Sequence, residues 1–376
     1  MKNLATQLIH GTDKHHQNQV SVVSDLVLAT TFERNKAGDF AEGQDVYTRS
    51  SNPNRRELES KLALLENGTS AFAFSSGQAA TLSIFHALGG QHIIIPDDMY
   101  YNGRVLLEQC FSHRNLTFSV VDMTDLEAVE AAIKPETSLI WIETPSNPLL
   151  KFTDISAITS IAKKNNILTA CDNTWATPFH IQPFKFDVDV VMHSTTKYLG
   201  GHSDILGGCV ILNESSERLK GAIADFQKYG GGVPSPFDCW LLNRSLATFV
   251  LRMPVHSANA MQLATFFNEH DTVEQVNYPG IETNIYHEVA KKYMQNGFGG
   301  MMSILLDMTE NEIKKRASNM KYFKHATSLG GVESLVEHRR SVEGDNPTSP
   351  VNLLRISVGI EDVQDLIGDF DKFLTR

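Results

Sequence analysis

The sequence has few of the features that mark secreted, membrane-spanning or nucleic-acid-binding proteins. Its 376 residues include four cysteines and three tryptophans, and 33 Lys and Arg against 44 Asp and Glu give a formal net charge of −11. No Lys/Arg-rich run supplies the basic surface that nucleic-acid phosphates require. No stretch reaches the roughly 18 apolar residues of a membrane span, and the N-terminus lacks the apolar segment of a signal peptide. We therefore predict a cytoplasmic protein that acts on small molecules and binds neither membranes nor nucleic acid.

Cysteine pairs and glycine fingerprints are also missing. Cys110, Cys171, Cys209 and Cys239 are far apart, form no CxxC pair and show no Cys/His ligand spacing. This pattern argues against disulfides and against a metal site, so reduced, buried thiols are expected. Neither GxGxxG nor GxxxxGK[ST] occurs, which removes the main support for dinucleotide or Walker-type nucleotide binding.

Short apolar runs rich in β-branched residues alternate with helical patterns between about residue 60 and residue 215. This alternation predicts an α/β fold with a mostly parallel sheet flanked by helices. The helical patterns begin at two natural N-caps, Asp125 and Asp154, and after the turn at Ser76 and Gly77. The predicted strands are 71–74, 92–95, 117–121, 138–142, 167–171, 188–192 and 208–212. The predicted helices are 78–88, 125–133 and 154–164.

The chain divides into three predicted parts. Residues 1–55 are polar without clear periodicity and are expected to form an extended N-terminal arm. Residues 56–235 form the larger α/β domain, and a stretch rich in Gly and Pro near its end marks a crossing between domains. Residues 236–376 are predicted to form a smaller α+β domain. Its predicted elements are helices 237–249, 258–267 and 362–374 and strands near 302–306 and 353–358.

Polar residues follow several predicted strands, at the sheet edge where parallel α/β proteins bind ligands. Gly77 opens a helix after a strand, a position that either binds an anion or serves as a plain turn. Asp172 ends an apolar strand and is either a functional carboxylate or the N-cap of a helix. Lys197 follows the next strand and is either a buried amine with a lowered pKa or a solvated loop lysine. An anion site, a carboxylate and an amine are together what pyridoxal phosphate requires.

These residues stand in motifs that resemble the Cys/Met-metabolism family of pyridoxal-phosphate enzymes, which includes cystathionine γ-synthase, cystathionine β- and γ-lyases and methionine γ-lyase. The resemblance covers nearly the whole chain and implies the aspartate-aminotransferase-like fold, fold type I. The matching motifs are Tyr47-Thr48-Arg49-Ser50-Ser51-Asn52-Pro53, Ser76-Gly77-Gln78-Ala79-Ala80, Asp97-Asp98-Met99-Tyr100, Glu143-Thr144-Pro145-Ser146-Asn147-Pro148, Asp172-Asn173-Thr174, Ser194-Thr195-Thr196-Lys197-Tyr198, Gly200-Gly201-His202-Ser203-Asp204, Ser328-Leu329-Gly330-Gly331-Val332-Glu333-Ser334-Leu335 and Leu354-Arg355-Ile356-Ser357-Val358-Gly359.

The resemblance implies a role for each candidate residue. Lys197 would hold pyridoxal 5′-phosphate as a Schiff base and then move protons between substrate carbons. Asp172 would keep the pyridine nitrogen protonated, and Tyr100 would stack on the ring. The other implied cofactor-binding residues are Gly77, Gln78, Thr174, Ser194, Thr196, Tyr47 and Arg49. The implied substrate-binding residues are Arg355, which would bind the α-carboxylate, and Asn147, Ser328 and Glu333.

The resemblance also implies an assembly. Tyr47 and Arg49 lie on the predicted arm, and in this family they reach the cofactor phosphate of a neighbouring subunit. A dimer would then be the smallest catalytic unit, and pairs of dimers with shared active sites would form a homotetramer.

The sequence predicts the cofactor more closely than the reaction. Val46 stands where γ-synthase and γ-lyase relatives often carry an acidic residue, and Asn102 about where many methionine γ-lyases have a cysteine. Tyr101 replaces the usual Gly, so either Tyr100 or Tyr101 can stack on the cofactor. We expect a carbon–sulfur lyase of transsulfuration that cleaves cystathionine or a related amino acid by α,γ- or α,β-elimination. The alternative is a γ-synthase that joins an O-acylhomoserine to cysteine. A non-catalytic protein on the same fold is disfavoured by the intact motifs.

Overall fold

The larger of two β-sheets carries the predicted α/β pattern. The computed structural model describes residues 3–11, 22–88, 91–111, 115–344 and 347–375. Seven strands lie in the order β1-β7-β6-β5-β4-β2-β3, and all neighbours are parallel except those of β7. The mostly parallel sheet and all seven predicted strands are therefore confirmed. The strands are β1 Ser70–Phe74, β2 His92–Pro96, β3 Thr117–Val121, β4 Thr137–Glu143, β5 Leu168–Asp172, β6 Val190–His193 and β7 Gly208–Leu212.

Strand β7 runs antiparallel to both of its neighbours, β1 and β6. Residues 194–207, which connect β6 to β7, form turns and loops and contain no helix. Parallel neighbours need a longer crossover, which usually contains a helix. The apolar sequence of β7 gives no sign of this reversal, because burial on both faces removes any alternation.

Helices cover both faces of this sheet. Within β2, Ile94 belongs to one hydrophobic core, whereas Ile93 and Ile95 belong to the core on the other face. Alternate residues of a strand point to opposite faces, so both faces are buried. The helices up to residue 230 are α1 Leu4–His10, α2 Pro53–Glu66, α3 Gly77–Ala87, α4 Tyr101–Cys110, α5 Leu126–Ala131, α6 Ile155–Lys164, α7 Thr177–His180 and α8 Lys220–Gly230.

Local capping explains where several helices begin. The carboxylate of Asp125 accepts a hydrogen bond from the backbone N–H of Ala128, the third residue of helix α5. The carboxylate of Asp154 accepts one from Ala157, the third residue of helix α6, so both predicted N-caps are confirmed. Helix α2 begins at Pro53, within the segment predicted as arm, and Asn52 caps it. Its apolar periodicity is weak because charged side chains, including those of Arg55 and Lys61, are buried along it.

The second sheet has five strands in the order β10-β11-β12-β9-β8 and a hydrophobic core of its own. The predicted α+β character of this region is confirmed. Its strands are β8 Val273–Asn277, β9 Met301–Leu306, β10 Lys324–His325, β11 Leu335–His338 and β12 Leu353–Ser357. Its helices, with the preceding α9, are α9 Pro236–Leu246, α10 Phe249–Asn268, α11 His287–Tyr293, α12 Glu310–Ala317 and α13 Val363–Thr375.

The helix predicted at 258–267 is the second half of the longer helix α10, which continues through Pro254. The sequence pattern does not predict strands β8, β10 and β11. Strand β10 has only two residues, and strand β8 exposes polar side chains. Helix α9, at the start of the predicted C-terminal domain, packs against α2. The three-part division of the chain stays a prediction.

The four cysteines are all free. Cys171, Cys209 and Cys239 are buried as expected, whereas Cys110 is exposed at the end of helix α4, so the expectation of buried thiols is wrong for that residue. In the part of the chain that the structure describes, no helix is long and apolar enough to cross a membrane.

Candidate active site

A cavity of about 450 Å³ lies where the two sheets face each other. Strands β4, β5 and β6 end at this cavity, which is lined by Glu143, Asp172 and Ser194. The second sheet contributes Arg355 from strand β12, and the loop before β11 contributes Ser328. The cavity therefore lies at the sheet edge that the sequence predicts for a ligand.

Most of the predicted site residues meet in this cavity. Tyr100 lines it, whereas Tyr101 does not. Eleven of the fourteen candidates contribute to its wall: Gly77, Gln78, Tyr100, Asn147, Asp172, Thr174, Ser194, Thr196, Lys197, Ser328 and Arg355. The three that do not are Tyr47, Arg49 and Glu333.

The side chain of Lys197 faces the cavity rather than open solvent. Its Nζ atom donates a hydrogen bond of 2.7 Å to the hydroxyl of Ser328. Burial lowers the pKa of Lys197 to about 8, and the nearby Arg355 guanidinium acts in the same direction. Close to neutral pH the neutral fraction of this amine is therefore far larger than that of an ordinary lysine, which suits a nucleophile or a general base.

Two carboxylates lie side by side at the ends of strands β4 and β5. Glu143 and Asp172 are register partners in the parallel ladder. Burial raises the pKa of Glu143 well above its usual range, and the charge of Asp172 raises it further. Burial also raises the pKa of Asp172, although hydrogen bonds from Thr174 oppose this shift. Helix α7 begins at Thr177 with Ala176 before it, so the N-cap interpretation of Asp172 is wrong.

Another part of the cavity wall is suited to an anion. Helix α3 begins at Gly77, and the Ser76 hydroxyl caps it by accepting a hydrogen bond of 3.1 Å from the Ala79 N–H. A Cβ atom on Gly77 would lie 2.9 Å from the Cβ atom of Ser194, so only glycine allows this close approach. Free N–H groups and the positive end of the helix dipole favour a phosphate here.

A buried arginine occupies the wall formed by the second sheet. The guanidinium of Arg355 donates hydrogen bonds of 3.1 Å to Asn147 Oδ1 and 3.3 Å to the Ser328 backbone oxygen. Its Nη2 atom also lies 2.5 Å from Oε2 of Glu337, the cross-strand partner on β11. Burial lowers the pKa of Arg355 to about 10, so it stays charged at neutral pH. A planar, charged fork suits a carboxylate.

A family model described as Cys/Met metabolism PLP-dependent enzyme matches residues 5–375. The chain belongs to this family. Its cofactor is therefore pyridoxal 5′-phosphate. The match spans the α/β sheet, the second sheet and the cavity between them.

Relatives in the family carry out different reactions. The chain is 41% identical to cystathionine gamma-synthase of Mycobacterium tuberculosis, over 98% of this chain and 96% of that protein. It is also 41% identical to cystathionine beta-lyase of Lactococcus lactis, over the full length of both. The crystal structure of cystathionine gamma-lyase from Lactobacillus plantarum, complexed with L-serine, is 37% identical, with a TM-score of 0.92 over 99% of this chain and 98% of that one.

The cavity fits the family's cofactor. The start of helix α3 lines the cavity with Ser194 packed closely on Gly77, and its N–H groups suit a phosphate. Asp172 supplies a buried carboxylate for the ring nitrogen, and Lys197 supplies the amine. Among the described residues, no group of His, Cys, Asp and Glu is arranged to hold a metal ion.

Three predicted residues lie away from this cavity. Tyr47 and Arg49 are exposed on the arm, with the Arg49 guanidinium 5.2 Å from the centre of the Tyr47 ring. The carboxylate of Glu333 accepts a hydrogen bond from the Ser203 hydroxyl instead of lining the cavity. Their predicted roles would need a neighbouring subunit or another arrangement.

Two ionisable residues of the cavity were not candidates from the sequence. Glu143 ends a strand beside Asp172, so the argument from strand ends that identified Asp172 could have found it. Arg339 begins a short 3₁₀ turn after strand β11 and lines the cavity near Arg355. No local pattern marks Arg339, because only the packing of the second sheet against the first brings it to the site.

Proposed function

We propose that the chain is a carbon–sulfur lyase of transsulfuration that cleaves cystathionine or a related amino acid by α,γ- or α,β-elimination. The observation that carries this proposal is the double contact of Ser328. Its hydroxyl accepts from Lys197 Nζ, and its backbone oxygen accepts from the Arg355 guanidinium. A basic amine and a carboxylate-binding arginine therefore face the same cavity, as removal of a proton from the α-carbon of an amino acid requires.

Each residue then has a distinct task. Arg355 binds the substrate carboxylate, and its contact with Asn147 orients the guanidinium. When bound, pyridoxal phosphate would supply an acceptor for electrons from the α-carbon, and the carboxylate of Asp172 would stabilise its protonated ring nitrogen. Lys197 Nζ accepts the α-proton and returns it at another carbon, which its pKa of about 8 allows near neutral pH.

A second candidate is γ-replacement, in which cysteine displaces the acyl group of an O-acylhomoserine to form cystathionine. The observation that favours it is the 41% identity to the mycobacterial protein named cystathionine gamma-synthase. The same cavity serves both reactions, because both begin with removal of the α-proton. They differ in the leaving group and in whether water or the cysteine thiol completes the reaction.

Product analysis with the holoenzyme distinguishes these reactions. Cystathionine and water give pyruvate, ammonia and homocysteine by α,β-elimination, or 2-oxobutyrate, ammonia and cysteine by α,γ-elimination. O-Succinyl- or O-acetylhomoserine with cysteine gives cystathionine if the chain is a synthase. Lys197→Ala serves as the inactive control. If the wild-type holoenzyme forms none of these products, both candidates are wrong.

We also propose a cytoplasmic homotetramer in which the arm, residues 1–55, serves the active site of a neighbouring subunit. Tyr47 and Arg49 are exposed and lie away from the cavity of their own chain. Val22, Val23 and Leu28 on the same arm are 98%, 69% and 63% exposed, which is costly unless a partner covers them. The proposed domains are 56–235, which holds the cofactor, and 236–376. Light scattering of the purified protein tests the tetramer.

A further inference from the structure

A second buried arginine, Arg339, lines the active-site cavity beside Arg355. It is 6% exposed and begins the 3₁₀ turn Arg339–Val342, whose last residue also lines the cavity. The start of helix α4 contributes Asn102 and Gly103 to the same cavity. The hydroxyl of Tyr101 lies 3.3 Å from the position that a Cβ atom on Gly344 would take, so this helix and the turn are neighbours.

The guanidinium of Arg339 has few partners in the protein. Its Nη1 atom lies 3.4 Å from Glu337 Oε2, and its Nε atom lies 3.5 Å from Glu343 Oε1. Within the described part of the chain these are its ion-pair contacts, and both are long for charge-assisted hydrogen bonds. A guanidinium carries five N–H donors, so most of those on Arg339 remain for a ligand.

Both carboxylates beside Arg339 have closer partners elsewhere. Glu343 accepts hydrogen bonds of 2.8 and 2.9 Å from the backbone N–H groups of Thr348 and Ser349, and another from the Ser349 hydroxyl. It therefore anchors its own loop. Glu337 Oε2 is held at 2.5 Å by Arg355. Because both arginines contact this one oxygen atom, their guanidinium groups lie next to each other in the cavity wall.

We propose that Arg339 is a specificity-determining residue that binds a second carboxylate of the substrate, beyond its reacting carbons. Arg355 with Asn147 already provides the fork that one α-carboxylate uses, so a further guanidinium with unused donors matches a further anionic group. The substrate class is then an amino acid with a distal carboxylate, such as cystathionine or O-succinylhomoserine, rather than O-acetylhomoserine. This inference rests on the proposed function, whose active site it uses.

A pair of unreactive amino acids tests this assignment. L-2-Aminopimelate carries a distal carboxylate and L-norleucine does not, and neither has a leaving group. Their dissociation constants for the holoenzyme are measured from the change in the visible absorption of the bound cofactor. We expect the wild-type protein to prefer aminopimelate, and Arg339→Met to weaken aminopimelate binding about 10- to 100-fold while norleucine binding changes less than about threefold.

Two further variants complete the experiment. Arg340→Met is the matched control, because Arg340 lies on the same turn, donates a hydrogen bond of 2.8 Å to the Ser349 backbone oxygen and does not line the cavity. It should leave both dissociation constants unchanged. Arg339→Lys keeps the charge without the planar fork, so it should retain part of the preference for aminopimelate. If Arg339→Met no longer retains the cofactor band, this lysine variant decides the result.

Equal weakening of both ligands by the Arg339 variants would overturn the proposal, because it would place Arg339 in support of Arg355 or of the fold. Unchanged dissociation constants for both ligands would overturn it as well. The proposed reaction is tested separately, because binding of these two ligands needs no turnover. A protein that prefers aminopimelate through Arg339 but forms no product from cystathionine or O-succinylhomoserine would refute the reaction and retain the assignment.

Discussion

The amine of Lys197 donates a hydrogen bond of 2.7 Å to the hydroxyl of Ser328, a residue 131 positions further along the chain. Lys197 follows strand β6 of the larger sheet, and Ser328 precedes strand β11 of the smaller one. Ser328 has a φ of 86°, a conformation that L-residues seldom adopt. This conformation is accompanied by the contacts of its hydroxyl with Lys197 and of its backbone oxygen with Arg355. The catalytic arrangement therefore depends on how the two sheets dock.

The lowered pKa of Lys197 predicts how cofactor uptake depends on pH. Only the neutral amine attacks the cofactor aldehyde, and its fraction rises as pH increases through about 8. The rate at which the cofactor-free protein regains its visible absorption should therefore increase over this range and level off above it. Lys197→Ala should give no covalent band at any pH. A rate that does not change across this pH range would contradict the assigned pKa.

Replacing the carboxyl groups of Asp172 and Glu143 by amides should have different effects on kcat. Asp172→Asn removes the anion opposite the ring nitrogen and should lower kcat about 10- to 100-fold. Glu143→Gln keeps an acceptor for the Tyr100 backbone N–H, which lies 3.0 and 3.1 Å from the two carboxylate oxygens of Glu143. Burial and Asp172 raise the pKa of Glu143 and so favour its neutral form, which a neutral glutamine resembles. The kcat of this variant should stay within about threefold of wild type, because the hydrogen bond to the Tyr100 N–H is kept. Steady-state kinetics on cofactor-saturated variants measures both, and equal losses would refute the separate roles.

Arg355→Lys should mainly raise KM for the amino-acid substrate. Lysine keeps the positive charge but loses the planar fork that contacts Asn147 and Ser328. We expect an increase of about 10- to 100-fold in KM, with the visible band of the cofactor retained. Arg340→Lys, on a nearby turn outside the cavity, should leave KM unchanged. A fall in kcat with no change in KM would place Arg355 away from the substrate.

Gly77→Ala should weaken cofactor binding. The added Cβ atom would lie 2.9 Å from Ser194 Cβ, so Ser194 must move away from the predicted phosphate site. The dissociation constant for pyridoxal phosphate, measured by equilibrium dialysis, should rise by about tenfold or more, as expected for one lost hydrogen bond to a charged group. Gly221→Ala is the matched control, because a Cβ atom at Gly221 meets nothing within 4 Å. Equal effects of the two substitutions would rule out a local cause.

Subunit complementation tests the predicted role of Arg49. If Arg49 serves a neighbouring subunit, then Arg49→Ala and Lys197→Ala are both inactive alone, but a mixed dimer contains one intact site. Co-expression of the two variants should restore activity. Asp172→Asn with Lys197→Ala is the control, because both residues line the same cavity and no intact site can form. Absence of activity in the first mixture, with mixed dimers shown to be present, would refute a shared site.

Strand and helix positions could be predicted where burial follows a simple local rule. The seven strands of the larger sheet are apolar because helices cover both faces, and their positions in the sequence match the structure closely. Asp125 and Asp154 are found as caps because a carboxylate directly before a helical pattern can accept a hydrogen bond from a backbone N–H in the first turn of the helix. Helix α2 was not predicted because buried charges interrupt its apolar face.

The sequence by itself determined the chemistry that each strand end carries. Gly77, Asp172 and Lys197 each follow an apolar strand, and parallel strands place such residues at one edge. Only the tertiary structure decided the pKa values of these residues and which other residues lie beside them. Burial in the cavity lowers the pKa of Lys197, and neighbouring strands place Glu143 beside Asp172. Docking of the second sheet brings Arg355 and Arg339 to the same wall, because contacts between residues far apart in sequence depend on packing and leave no local pattern.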